Sequence, residues 1–146
     1  MSYTNLYGIK SDFTAVELKQ YKNSWLFLPQ IYKILGEKYL NEKDTYKVLF
    51  TSKNLDKLER NVSKSKRTED RVLWLLVNQQ IFFTKDKTFI ADCIQKFFME
   101  DVRYYHPDNM DLIEWYDKIR KDISALDEKK YPYFIFNATS VTDSVY

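Results

Sequence analysis

Two glycines in 146 residues, Gly8 and Gly36, constrain this chain more than any other feature. Tight two-residue hairpins need positive φ at their central positions, and a barrel or sandwich built on many of them has nowhere to place those residues here. The same scarcity excludes the dinucleotide-binding fingerprint and the P-loop, which need clustered glycines where backbone approaches phosphate. Helices joined by polar connections satisfy the composition better. The rings are plentiful: twelve Tyr, ten Phe and three Trp make up 17% of the residues. Each can bury about 150–250 Å², so a few of them offset much of the chain entropy. A chain of this length buries roughly 68–70% of its unfolded surface, enough for one self-sufficient core.

Cys93 is the only cysteine and His106 the only histidine. That excludes an intramolecular disulfide and a conventional zinc site of four Cys or His ligands, and no cofactor is expected. The opening Met-Ser-Tyr-Thr-Asn lacks the basic start and apolar run of a secretory signal, so the expected location is the cytoplasm. The longest apolar run, Val72 to Phe83, contains Asn78, Gln79 and Gln80 and is too short for a bilayer, so no membrane association is expected.

The pattern along the chain predicts a single α+β domain over 1–146, predominantly helical. Leu6, Tyr7 and Ile9, then a polar break at Lys10-Ser11-Asp12, then Phe13, Val16, Leu18 and Tyr21 read as a β-hairpin over about 5–21. Gly8 inside its first strand marks a bulge or a close backbone approach. A helical region is expected next, over about 24–124, with five or six helices. Trp25, Leu28, Tyr32, Leu35 and Tyr39 recur at helical spacing after Ser24 as N-cap, with Pro29 placed in the first turn. Shorter helices are expected over Asp44–Thr51 and Leu55–Val62, before a polar loop at Ser63–Arg67. A central helix, apolar nearly all round, is expected over about 68–83, capped by Thr68 with Glu69 and Asp70 in its first turn. Phe89, Ile90, Cys93, Ile94, Phe97 and Phe98 stripe the next helix, which should end before Tyr104. Met110, Ile113, Tyr116, Ile119 and Ile123 stripe one ending near Ser124. Over 131–137 a strand with Phe134 and Phe136 facing the core can join the hairpin in a small sheet.

Chemistry is sparse. A Cys93–His106 nucleophile pair is the sharpest enzyme reading, but Cys93 lies on an apolar stripe, where a thiol is ordinarily an inert small hydrophobe. Carboxylates at i,i+3, such as Asp108 with Asp111, arise freely in a chain with 30% charged residues. Charge is nevertheless uneven. Between residues 47 and 71 eight bases face four acids, giving a candidate nucleic-acid surface at Lys57, Arg60, Lys64, Lys66 and Arg67. Between residues 100 and 117 six acids face Arg103 alone, interleaved with rings. Asp101, Tyr104, Tyr105, Asp108, Asp111, Glu114 and Trp115 thereby form a candidate surface for a basic protein partner, the charge steering encounter and the rings anchoring it. The leading expectation is a non-catalytic protein that inhibits or neutralises a protein partner, as toxin-immunity proteins and phage-borne inhibitors do. Nucleic-acid binding through residues 47–71 and an enzyme with an unrecognised site are the alternatives.

Overall fold

A computed structural model describes residues 3–22, 27–40, 52–105, 108 and 110–138; of these, the side chains of Phe27, Leu28, Pro29, Ser52, Tyr105 and Ile113 are left aside. The expected helix over 44–51, the Ser24 cap, Trp25 and His106 lie outside the described residues. The elements in order are strand β1 (Tyr3–Ile9), strand β2 (Ala15–Lys22), helix α1 (Phe27–Tyr39), helix α2 (Ser52–Ser63), helix α3 (Thr68–Val77), strand β3 (Phe82–Phe83), helix α4 (Lys87–Phe97), helix α5 (Met110–Ser124) and strand β4 (Tyr133–Ala138). Beyond Phe97, α4 runs on through a π-helical turn at Phe98–Val102 and a last turn at Arg103–Tyr105. The protein is thus a helix-dominated α+β fold, as the apolar spacing predicts. No described helix is long and apolar enough to cross a membrane.

The four strands form one antiparallel sheet in the order β2-β1-β4-β3. The hairpin register slips between Leu6 and Tyr7, and a Cβ on Gly8 would lie 2.6 Å from Cγ of Tyr131, so the close approach expected at this glycine is real. Leu6, Phe134 and Phe136 are fully buried on the helix side of the sheet, where they join the core formed with Ile31, Leu35, Leu58, Leu73, Ile94, Tyr116 and Ile123. α3 packs on α1, α2, α4 and β4, which makes it central. Tyr21 ties the hairpin to α5 through a 2.7 Å bond from its hydroxyl to Asp122, and the hydroxyl of Tyr32 donates to the Val77 carbonyl at 3.0 Å.

Several local expectations are corrected. α3 ends at Val77, not near 83: the Asn78 amide turns back to the Trp74 carbonyl at 2.8 Å, and Gln79 takes φ 59°, which leaves the helix. Phe82 and Phe83 then pair with β4, because that strand offers an unmatched edge where a longer helix would offer none. At the start of α3, Arg67 occupies the N-cap position without a side-chain cap bond, and Thr68 is the first helical residue, its hydroxyl accepting from Arg71. Phe89 and Met110, placed on buried stripes by spacing alone, are exposed, since each lies in the first turn of its helix beyond the packed face. The helix after Phe89 passes Tyr104 instead of stopping before it, carried on by the π turn.

Candidate functional site

The acidic segment begins in the π turn. Asp101 follows buried Phe97 and Phe98 at helical spacing and so continues the inward stripe of α4, while Met99 and Glu100 follow the exposed Gln95 and Lys96 and lie outside. Asp101 is buried and shares Lys38 with Asp70 of α3: the Lys38 Nζ lies 3.1 Å from Asp101 and 2.7 Å from Asp70. The Arg67 guanidinium donates to Asp101 at 2.7 Å and to Glu100 at 3.1 Å, and it also pairs with Glu69 and Asp70. The Tyr39 hydroxyl closes the cluster by donating to Asp70. Burial raises the Asp101 carboxyl above its ordinary value although Lys38 and Arg67 both oppose it. Asp101 therefore leaves the surface expected for it and becomes an internal strut joining α1, α3 and the π turn. Arg67 is likewise withdrawn from the basic surface, because four carboxylates neutralise it.

The rest of the segment is largely exposed. Tyr104 is 76% exposed, Met110 61% and Met99 45%. Asp108, Asp111 and Glu114 are exposed and form no ion pair among the described residues. Glu114 stands between two hollows. One, of about 170 Å³, is lined by Gln95, Phe98, Met99, Glu114, Tyr116, Asp117 and Arg120. Its floor is rigid, since Phe98 and Tyr116 are buried and stacked at 4.6 Å between centroids. The other, of about 200 Å³, is lined by Asp111, Glu114, Trp115 and Lys118. Trp115 is half-buried, its ring edge-on to Tyr21 at 6.4 Å and its outer face beneath the Lys118 ammonium at 5.1 Å. Asp117 is held below the usual carboxylate range by its bonds from Arg120 and Lys121, so it adds little free charge.

Met99 and Met110 are the members of this segment that sequence reasoning misses. Spacing sets Met110 on a buried stripe, and Met99, which lies on the exposed side of α4 with Gln95 and Lys96, carries no charge or ring to single it out. On the basic side, Lys57, Arg60, Lys64 and Lys66 are exposed along α2 and the loop after it. Lys66 and Arg67 also border a hollow of about 340 Å³ with Glu69, Phe89, Asp92, Cys93 and Lys96, where acids and bases are mixed. Cys93 itself is buried, and burial, assisted by Glu69, pushes its thiol up to about 11, the opposite of an activated nucleophile. Among the described residues no group of three or more His, Cys, Asp or Glu is arranged to hold a metal ion. In comparisons with known proteins, no family model, curated protein or solved structure matches the chain.

Proposed function

We propose that this chain is a non-catalytic binding protein that inhibits or neutralises a protein partner by laying its acidic α4–α5 face over a basic surface. The observation that carries this reading is that the segment from Met99 to Glu114 exposes Tyr104, Met99 and Met110 together with three carboxylates, Asp108, Asp111 and Glu114, that form no ion pair among the described residues. A large ring and two flexible thioethers supply contact area, and unpaired charge steers the encounter. The firm floor of Phe98 and Tyr116 supports the idea further, because anchors bind best in pockets that do not reorganise.

The test is a paired capture. The native chain and an Asp111→Lys, Glu114→Lys variant are immobilised side by side, and a protein retained by the first and lost from the second is purified for calorimetry. Tyr104→Ala should weaken that complex about 30-fold, the size of a hot-spot truncation, and native affinity should fall with added salt. If every protein retained by the native chain is retained equally by the charge-reversed variant, or if Tyr104→Ala leaves the affinity unchanged, this face is refuted.

A further inference from the structure

The sheet has a second face, turned away from the helices, that plays no part in the acidic site. Cross-strand partners share a face, so the register sets Tyr133 and Phe83 on this face in one row, beside the buried Ile9, and the half-buried Tyr7 and Ile135 in the next. Below them Gln20 and Asn137 expose carboxamides on either side of the buried Asn5, and Lys22 lies on the same face in the last row. From the Lys22 row to the Ile9 row is roughly 20 Å along β1.

The rings of this face sit where solvent reaches them. Phe13, 71% exposed, is held at φ 66° and stacks on Tyr133 with 5.7 Å between centroids and 11° between planes. Phe83, 54% exposed, meets Tyr133 from the neighbouring strand, also at 5.7 Å, with the Lys85 ammonium 5.1 Å above its ring. None of the three belongs to the hydrophobic core cluster. A non-glycine residue in the left-handed region carries a conformational cost, here spent on presenting a ring outward. Asn5 adds a second, independent sign: it is buried at the base of the face, and its Oδ1 has no hydrogen-bond partner among the described residues.

We propose that this face binds single-stranded nucleic acid. Aromatic rings on an open antiparallel sheet stack on unpaired bases, carboxamides both donate to and accept from base edges, and lysines at the margin hold phosphates. All three chemistries lie on one face here, with Lys22 and Lys85 exposed near opposite corners and Glu17 the single acid among the outward strand positions. A duplex hides its base faces inside the stack and would leave Phe13 and Phe83 without partners, so the selection is for single strands.

Fluorescence anisotropy tests it with labelled oligonucleotides of about a dozen residues: a mixed-sequence RNA, the matching DNA, and that DNA annealed to its complement. The native chain should bind at least one single strand and prefer it to the duplex. Phe13→Ala and Phe83→Ala should each weaken binding about 5- to 150-fold, the range for losing one stacked base, with unchanged circular dichroism because both rings lie outside the core. Lys22→Glu with Lys85→Glu should flatten the dependence on salt. The proposal is overturned if neither single strand binds, if the duplex binds equally well, or if the Phe variants bind like the native chain. Loss confined to Lys57→Glu and Arg60→Glu would overturn it in favour of α2, and self-association abolished by Phe13→Ala without oligonucleotide binding would make the face a contact between copies of the chain.

Discussion

Replacing Lys38 with methionine tests the internal strut most directly, because the two side chains are similar in length and only the charge is lost. Lys38 Nζ lies 2.7 Å from Asp70, whose side chain is fully buried, and 3.1 Å from Asp101. Removing one member of a buried ion pair costs about 3–5 kcal/mol, since the remaining charge stays desolvated. Arg67 still reaches both carboxylates, at 3.3 Å and 2.7 Å, which places Lys38→Met near the lower end. A loss of about 3 kcal/mol lowers the melting temperature of a domain this size by about 6–12 °C. Acidity changes the outcome in a defined direction. A carboxyl whose folded pKa is raised, as burial raises Asp101, stabilises the fold fully below its unfolded value and loses that contribution as pH rises through the folded value. Without Lys38 the folded value rises further, so the gap between variant and native protein should be widest at pH 7 and narrow toward about pH 4. Urea unfolding followed by tryptophan fluorescence at both pH values measures it. A loss below about 1 kcal/mol at pH 7, the value of a surface pair, or a gap constant with pH would refute the strut.

Gly8→Ala should cost about 1–3 kcal/mol, as overpacking does, because its Cβ meets the Tyr131 ring and a Leu18 methyl, all within 2.9 Å; a denaturation midpoint equal to the native one would show that Tyr131 yields freely. Cys93, with its thiol near 11, should react with a disulfide reagent at neutral pH far more slowly in the native protein than in urea; equal rates would place the thiol outside the core.

Most of the fold is legible in the sequence where one periodicity governs one element. The three-and-four spacing of Tyr32 and Leu35, of Ile90, Cys93, Ile94 and Phe97, and of Tyr116, Ile119 and Ile123 gives the helices, and the alternation of Phe134 and Phe136 gives β4. The errors fall where long-range contacts decide. Ile81, Phe82 and Phe83 prolong the apolar run of α3, yet Phe82 and Phe83 pair with β4, a partner about fifty positions away that no local window contains. Asp101 reads as surface because its neighbours are acidic, but it lies on the buried stripe of α4, where two cations from α1 and the α2–α3 loop compensate its charge. The outer sheet face is invisible in the sequence for the same reason: Phe13, Phe83 and Tyr133 come together only once the strand order is known.

That order has a consequence for how the molecule is made. β1 and β4 are neighbours in the middle of the sheet although they stand at opposite ends of the described chain. During synthesis at about 5–20 residues per second, the first hairpin emerges on the order of ten seconds before its central partner exists. Until then β1 presents a bare edge with Leu6 and Tyr7 upon it, the sort of edge that captures other nascent strands. The helices, rich in local contacts, can close early, whereas the sheet is completed last across a long loop. A stalled or shortened chain ending before Tyr133 therefore loses more than one strand, because the hairpin is left with no sheet to join.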